Sequence, residues 1–273
     1  MGNREVVIVT GASSGIGYAT ADLLLDNGYT VYCLARSEDK MKPLAEKGGK
    51  VIKLDVSDMK AGINTVHHIR NIEGRIDVLV NCAGYAEMGA LEDVPIDKVR
   101  HNFDVNMFGA LNLTQQVLPI MRQQGKGHVV SIGSMSTYSH VYFAACYSAS
   151  KAALKSYTNE LRTEVEDSGI KVTLIEPGII KTNWPNVASI TMKNNTWGSY
   201  HKRRELIAMR TILWLYNQSK VSSPNVVAKA VLKTLRSRHP KAHYRVGYLH
   251  RTMFLLHFLP ARLYDKAIKF LTH

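Results

Sequence analysis

Short apolar runs alternate along the chain with longer segments of mixed polarity. The runs are rich in β-branched residues and are typical of strands buried on both faces of a sheet. The segments between them repeat apolar residues at helical spacing. The predicted strands lie near residues 5–10, 29–34, 51–54, 76–81, 127–132, 171–176 and 243–246. This alternation predicts an α/β fold, in which a doubly wound parallel sheet of about seven strands carries helices on both faces.

Length and composition agree with one globular domain over residues 1–273, of which 45% are apolar. No repeat, low-complexity segment or Pro/Ser-rich linker divides the sequence. It shows no cleavable signal peptide and no apolar run of the roughly 18 residues that a spanning helix needs. Cys33, Cys82 and Cys146 lack metal-ligand spacing. We therefore expect reduced cysteines, no bound metal and a cytoplasmic location.

The first predicted strand runs into a glycine-rich turn, Gly11-Ala-Ser-Ser-Gly15-Ile-Gly17, and then into a helical segment. Such a turn binds dinucleotide phosphates, because glycines permit close approach and a helix N-terminus offers free N–H groups. The same residues match the G-x-S-x-G elbow of serine hydrolases, with Ser13 as the nucleophile. Only about ten residues precede the turn, too few for the strands that normally come before that elbow. Gly17 would also have no role in it, so we favour a dinucleotide site of the Rossmann type.

Tyr147 and Lys151 lie four residues apart in a segment with helical periodicity. Positions i and i+4 share one face of a helix, so both side chains can enter one site. A nearby ammonium group stabilises phenolate and lowers a tyrosine pKa, as a general acid/base near neutral pH requires. Ser134 lies thirteen residues upstream of Tyr147. Taken singly, Tyr147 is as well explained as an interfacial aromatic, Lys151 as a surface charge and Ser134 as a strand-end serine. The case for catalysis depends on the three residues occurring together.

Read in order, T10-G-A-S-S-G-I-G17, N81-C-A-G84, Asn106, Ser134 and Y147-S-A-S-K151 closely resemble the motifs of the short-chain dehydrogenase/reductase family. The resemblance is to the branch of the family whose members have about 250 residues. In this chain the specific motifs extend from Glu5 to about Gly178. The resemblance implies hydride transfer between a nicotinamide and an alcohol or carbonyl group. Tyr147 would exchange a proton with the substrate oxygen, and Ser134 would hydrogen-bond to that oxygen. Lys151 would contact the nicotinamide ribose and lower the Tyr147 pKa, while Asn106 would hold a water in a proton relay.

The residues at the end of the second predicted strand indicate whether NAD or NADP(H) is bound. An acidic residue there would bind the ribose 2′-hydroxyl of NAD, whereas this chain has Ala35 followed by Arg36. A guanidinium group suits the 2′-phosphate of NADP(H), and Ser13 and Ser14 could add hydroxyl donors. We therefore predict NADP(H). Beside Tyr147, Lys151 and Arg36, the cofactor-binding residues predicted from the motifs are Gly11, Ser13, Ser14, Gly15, Ile16, Gly17, Asp55, Val56, Asn81, Ala83, Gly84, Pro177, Gly178 and Thr182.

The stretch beyond Gly178 is rich in large side chains and resembles the family's substrate lid, which we place at about residues 182–218. Aromatic and methionine side chains there favour a bulky apolar substrate, such as a steroid, a retinoid or a long-chain ketone. The candidate substrate-contacting residues are Tyr85, Met88, Tyr142, Phe143, Trp184 and Trp197. Within the family the chain looks most like the hydroxysteroid-dehydrogenase-like group. A reductase of acyl-dihydroxyacetone phosphate or another lipid ketone is an alternative.

Positive charge is concentrated at the C-terminal end. Residues 193–273 carry 16 Lys/Arg and 2 Asp/Glu, whereas residues 1–192 carry 19 and 20. Such asymmetry predicts an anionic partner, and no nucleic-acid-binding module is recognisable. Residues 248–273 are also apolar and interrupted by Pro260, like an amphipathic segment with basic flanks. Two interpretations remain open: peripheral contact with a membrane surface, or packing of this segment on the body of the domain.

Two further expectations follow from the resemblance alone. The helices near residues 98–122 and 147–167 are the usual oligomer faces of the family, so a homodimer or homotetramer is expected. Some relatives bind NADP(H) as sensors or scaffolds without turnover, usually after losing the Tyr or the Lys. Because Tyr147 and Lys151 are both present here, an enzyme is favoured over a sensor.

Overall fold

The computed structural model describes residues 5–196 and 200–272, with the side chains of Thr196 and of residues 267–272 left out of the description. In this part of the chain seven parallel strands form one sheet in the order β3-β2-β1-β4-β5-β6-β7. The strands are β1 (Val6–Thr10), β2 (Thr30–Ala35), β3 (Lys50–Lys53), β4 (Val78–Asn81), β5 (Gly127–Ile132), β6 (Ile170–Pro177) and β7 (His243–Val246). The predicted α/β architecture is confirmed.

Helices cover both faces of this sheet. They are α1 (Gly15–Asp26), α2 (Lys42–Glu46), α3 (Met59–Glu73), α4 (Ile96–Phe103), α5 (Gly109–Gln124), α6 (Ala145–Glu164), α7 (Trp184–Thr196), α8 (Lys202–Tyr216), α9 (Asn225–Arg236), α10 (His250–Leu256) and α11 (Ala261–Thr272). A π-helical turn, Asp104–Phe108, joins α4 to α5. No helix among residues 5–196 and 200–272 is long and apolar enough to cross a membrane.

The pattern of β1 explains why the sheet is covered on both sides. Val7 and Val9 belong to the core on one face, with residues of α1 and α9. Val6 and Ile8 belong to the core on the other face, with residues of α3, α5 and α6. Since alternate residues of a strand point to opposite faces, a continuous apolar run needs helices on both sides.

The order of the strands in the sheet indicates where a ligand-binding site can form. β1 lies at the centre of the sheet, between β2 and β4, and all three strands run in the same direction. Their carboxyl ends therefore meet at one edge, and the connections leave in opposite directions on either side of β1. This topological switch point is where ligands bind in open α/β sheets.

Candidate active site

The glycine-rich turn lies at the carboxyl end of β1, as its sequence predicts. Gly11 and Gly15 adopt positive φ angles of 69° and 54°, which side chains with a Cβ rarely tolerate. A Cβ on Gly17 would overlap the carbonyl oxygen of Gly11. Gly17 thus lets α1 start directly against the turn, and the first amides of α1 have no acceptor within the helix. The residues of this turn that line the cleft are Gly11, Ser13, Ser14, Gly15, Ile16 and Gly17.

Thr10 holds the turn against the neighbouring strand, a role that the sequence analysis missed. Its side-chain hydroxyl accepts hydrogen bonds from the backbone N–H groups of Cys82 (2.9 Å) and Ala83 (3.0 Å). A Cβ on Gly11 would lie 3.0 Å from the Ala83 Cα, so the two segments pack backbone to backbone. The β1 and β4 ends are thereby fixed together as one wall of the cleft. The only signal in the sequence was the position of Thr10 at the start of the glycine motif.

Arg36 lies at the end of β2 with an exposed side chain. Its Nη1 is 3.9 Å from Oδ2 of Asp55, and the guanidinium side chain is 71% exposed. Asp55 is held by the backbone N–H (3.0 Å) and hydroxyl (2.7 Å) of Ser57. Ser37 and Lys40, which the sequence analysis did not single out, line the same end of the cleft, as do Ala35 and Val56. This end offers cationic and hydroxyl donors of the kind that bind a phosphate.

Tyr147 and Lys151 enter the cleft from α6, one helical turn apart, as predicted. The Lys151 Nζ is buried and donates to the carbonyl oxygen of Ile132 at 2.9 Å. The hydroxyl oxygen of Ser134, which follows β5, accepts from the backbone N–H of Ser136 (3.1 Å) and interacts with Tyr147. Gly84 approaches Lys151 from the opposite side of the cleft, since a Cβ built on Gly84 would lie 3.3 Å from the Lys151 Nζ. A hydroxyl, a phenol and an ammonium group therefore meet at one point of the cleft.

Asn106 sits in the π-helical turn beneath this point and does not line the cleft. Its Oδ1 accepts from the backbone N–H of Tyr85 (2.9 Å), and its Nδ2 donates to the Tyr85 carbonyl (3.0 Å) and to the Ser150 hydroxyl (2.9 Å). The side chain thus fixes Tyr85 and α6 relative to each other. The water relay expected of Asn106 stays a prediction.

Asn81 is also buried rather than open to the cleft. Its Nδ2 donates to the hydroxyl of Thr114 on α5 at 3.0 Å. It therefore joins the end of β4 to α5. The predicted cofactor contact of Asn81 stays a prediction.

The pKa of Tyr147 shifts in the direction opposite to the sequence expectation. Burial raises this pKa above its ordinary value, and the nearby Ser134 side chain only partly opposes the effect. Lys151 is not among the groups that lower it. Burial also lowers the pKa of the Lys151 ammonium to about 8. The physical reason is that α6 buries both side chains, so the charged form of each loses hydration.

The segment expected to form a lid is helical and covers the cleft. The Trp184 ring packs on Tyr147 with ring centroids 5.5 Å apart, and it stacks on Tyr216 at the same distance. Asn195 of α7 donates to Glu87 (2.7 Å) and accepts from the Lys98 Nζ (2.8 Å), which fixes the helix to the wall below. The whole cleft, from the glycine turn to the lid, has a volume of about 920 Å³. Lid residues that line it but were not predicted are Asn183, Val187, Thr191, Asn194, Ile212, Leu215 and Tyr216.

Several predicted substrate-contacting residues lie elsewhere. Met88 is fully buried in a cluster with Ala144 and Met192, because hydrogen bonds to α7 fold its loop under the lid. Phe143 has a left-handed backbone (φ 62°), and its carbonyl accepts from the Gly89 N–H, which turns the ring away from the cleft. Tyr142 is exposed beside it. Met88, Tyr142 and Phe143 do not line the cleft, whereas Tyr85 and Trp184 do. Trp197 lies outside the described residues.

The remaining predicted cofactor-binding residues are brought together at the mouth between β6 and the lid. Pro177, Gly178 and Thr182 line the cleft with Ala83 and Gly84. The Thr182 methyl group faces Gly15, since a Cβ built on Gly15 would lie 3.2 Å from that methyl carbon. The connection after β6 therefore closes over the glycine turn. Backbone without Cβ atoms, helix-terminal amides and basic donors together fit an elongated dinucleotide.

Comparison with known proteins agrees with this geometry. The family model described as short chain dehydrogenase matches residues 5–192. A probable short-chain type dehydrogenase/reductase, VdlC, from Helicobacter pylori is 32% identical over 97% of this chain and 96% of its own length. A 3-ketodihydrosphingosine reductase from Bacteroides thetaiotaomicron is 31% identical over 92% and 90%. The crystal structure of a short-chain dehydrogenase from Streptomyces avermitilis superposes with a TM-score of 0.82 at 29% identity, covering 100% of this chain and 96% of that one.

These similarities extend over the glycine turn, the Ser134, Tyr147 and Lys151 positions and the sheet that holds them. The family uses a nicotinamide cofactor, and its members are oxidoreductases. The chain is therefore an oxidoreductase of the short-chain dehydrogenase/reductase family.

Proposed function

We propose that this protein is an NADP(H)-dependent reductase of a ketone carried on a bulky, largely apolar molecule such as a steroid or another lipid. The observation that carries the proposal is the meeting of Tyr147, Ser134 and Lys151 inside a cleft that an aromatic lid covers. A bound nicotinamide supplies the hydride. The chain itself has to position the carbonyl group, provide its proton and exclude water.

Tyr147 is the proton donor of this proposal. Because burial raises its pKa, the phenol keeps its proton at neutral pH and can give it to a carbonyl oxygen. The Ser134 hydroxyl, oriented by the Ser136 N–H at 3.1 Å, hydrogen-bonds to the same oxygen. Lys151, as an ammonium ion, stabilises the phenolate that remains after the transfer. A donor that is protonated at rest favours the reducing direction.

The preference for NADP(H) is supported by the end of the cleft near Arg36. The 3.9 Å ion pair between Arg36 and Asp55 is exposed, and such pairs contribute roughly 0–1 kcal/mol. The guanidinium group can therefore leave Asp55 at little cost and bind a 2′-phosphate, with Lys40 and Ser37 nearby. No carboxylate stands at the Ala35 position to repel that phosphate.

A lipid ketone is supported by the lid and by one relative. Trp184, Tyr216, Ile212 and Leu215 give the cleft an apolar roof above Tyr147. The Bacteroides relative is named for the reduction of 3-ketodihydrosphingosine, a long-chain ketone. We include that ketone among the substrates to be tried, beside steroid ketones, retinal and acyl-dihydroxyacetone phosphate. We further propose a homodimer or homotetramer through α5 and α6, which light scattering would measure.

The test combines a cofactor titration with a panel of carbonyl compounds. NADPH and NADH binding are measured by fluorescence, and NADPH oxidation is followed with each ketone. We expect NADPH to bind more tightly than NADH, and Arg36→Ala to remove most of the difference; the exposed Arg238→Ala is the matched control. Preference for NADH would contradict the cofactor assignment.

Tyr147→Phe separates an enzyme from a sensor. The variant removes only the hydroxyl, so NADPH binding should stay intact while turnover falls by at least about 100-fold. Turnover that survives in Tyr147→Phe would contradict the role given to this residue. Tight NADPH binding without turnover of any ketone by the wild-type protein would favour a sensor.

A further inference from the structure

The C-terminal helices expose large apolar side chains within a short stretch of chain. Leu255 is 66% exposed, Phe258 68%, Leu259 40% and Leu263 53%. Leu255 lies near the end of α10, Phe258 and Leu259 lie in the turn that joins α10 to α11, and Leu263 lies in the first turn of α11. Exposed apolar patches rimmed by polar residues mark sites of interaction. We call the surface formed by these four residues the C-terminal surface.

The same segment is fixed to the body of the domain by other residues. Phe254 packs edge-on against Tyr138 with ring centroids 5.2 Å apart, and Arg245 lies 3.9 Å from the centre of its ring. Tyr264 is buried, and its hydroxyl donates to the His140 carbonyl at 3.1 Å. Packing on the body therefore uses Phe254 and Tyr264 and leaves the four apolar residues of the C-terminal surface facing outward.

The C-terminal surface borders the mouth of the cleft. Met253, one helical turn before the exposed residues, lines the cleft itself. Helix α8, which packs against α11, lines the cleft with Leu215 and Tyr216 and exposes Trp214 (62%) on its outer side. The elements that cover the candidate substrate site thus also carry the exposed apolar residues.

Basic side chains surround this surface. Arg251, Arg262 and Lys266 are exposed on α10 and α11, and Arg210 is exposed on α8. The charge count of residues 193–273 makes the whole region strongly positive. Two copies of such a surface would repel each other, whereas an anionic layer would be attracted. The combination of outward apolar side chains with basic flanks matches helices that lie in a membrane interface.

We propose that the C-terminal surface docks on an anionic lipid bilayer, with Leu255, Phe258, Leu259 and Leu263 in the headgroup region and the basic residues against the lipid charges. Docking in this orientation places the mouth of the cleft at the bilayer. If the proposed function holds, a lipid ketone reaches Tyr147 without crossing water. The docking itself needs no particular substrate.

The experiment is co-sedimentation of the full-length protein with vesicles of phosphatidylcholine, with and without phosphatidylserine. One variant removes charge from the surface (Arg251→Ala, Arg262→Ala, Lys266→Ala). Its control removes three exposed charges outside that surface (Lys229→Ala, Lys233→Ala, Arg238→Ala), so the net charge is equal. A second variant is Leu255→Ser with Phe258→Ser, and its control is Leu91→Ser with Ile96→Ser, which are exposed to a similar degree.

We expect binding to phosphatidylserine vesicles that falls with added salt. Each surface charge near an anionic bilayer is worth about five-fold in affinity, so the triple variant should bind about ten- to hundred-fold more weakly than its control. The double serine variant should lose about ten-fold relative to its own control. Equal binding by each variant and its control would overturn the proposal. An oligomer that the double serine variant dissociates would overturn it too, since the surface would then join copies of this chain.

Turnover of a small water-soluble ketone separates this proposal from the proposed function. The surface variants should leave that turnover unchanged. Vesicle binding without turnover of any ketone would refute the proposed function and leave the docking intact.

Discussion

Replacing Thr10 by valine tests the contact that joins the two walls of the cleft. The substitution keeps the β-branched shape of the side chain and removes its hydroxyl, which donates to the Val80 carbonyl oxygen at 3.4 Å. Thr10 is 1% exposed, and its hydroxyl accepts from the backbone N–H groups of Cys82 and Ala83 at 2.9 and 3.0 Å. Both donors would be left without this acceptor in a half-buried position.

The expected loss of stability follows from those two donors. A buried polar group left unsatisfied costs about 1–3 kcal/mol. Cys82 and Ala83 are only half-buried, so water can solvate them in part, and we expect a total of about 2–4 kcal/mol. NADPH should also bind more weakly, because Ala83 packs directly against Gly11 of the glycine turn.

Thr20 offers the matched control. It is fully buried in α1, and its hydroxyl oxygen has no hydrogen-bond partner among the described residues. Removing an unsatisfied buried hydroxyl should leave stability unchanged or raise it by about 1 kcal/mol. The same chemical change should therefore have opposite consequences at Thr10 and Thr20.

Urea unfolding followed by circular dichroism measures both variants, and equal m-values would show that the unfolded states are comparable. A loss below about 1 kcal/mol in Thr10→Val would refute the reasoning. So would a Thr20→Val variant that is destabilised as much as Thr10→Val.

Two further predictions concern the glycine turn and the catalytic lysine. Gly17→Ala should weaken NADPH binding by at least about ten-fold, because its Cβ would overlap the Gly11 carbonyl, and fluorescence titration measures this. Gly28→Ala is the control: its positive φ of 80° should cost some stability, but its Cβ would meet open space, so cofactor affinity should stay intact. The reductase kcat/KM should be constant below pH 8 and fall above it, because Lys151 has a pKa of about 8 and stabilises the Tyr147 phenolate only as an ammonium ion. A pH profile that rises from pH 8 to 9.5 would contradict this role of Lys151.

Much of the fold could be predicted because buried parallel strands leave a strong signal. The central strands β1 and β4 are buried on both faces, so each is a continuous, largely apolar run, and the turns between runs are marked by glycine and polar residues. The residues of the turn from Gly11 to Gly17 were predictable for a related reason. The three glycines of this turn each meet a local backbone requirement that few other residues satisfy.

The residues that pack under the lid could not be predicted in the same way. Met88 and Phe143 belong to irregular segments without periodicity, so nothing in the sequence indicates which way their side chains point. The Met88 N–H donates to the Thr191 hydroxyl and the Met88 carbonyl accepts from Asn195, both more than a hundred residues away in the chain, and these bonds hold the Met88 loop in the core. Thr10 was missed for the same reason, because its two donors lie more than seventy residues further along.

The sequence by itself determined the layered architecture, the position of the dinucleotide turn and the identity of the residues that meet on α6, since these depend on local pattern and on motif spacing. The sign of the Tyr147 pKa shift, the partners of Asn106 and the outward side of α10 and α11 were decided by the tertiary structure. Each depends on how much water and which groups surround a side chain, and burial is a property of the packed molecule rather than of any segment. Phe254 and Phe258 show this directly: they are the same residue type four positions apart, yet Phe254 packs on Tyr138 and Arg245 whereas Phe258 is 68% exposed.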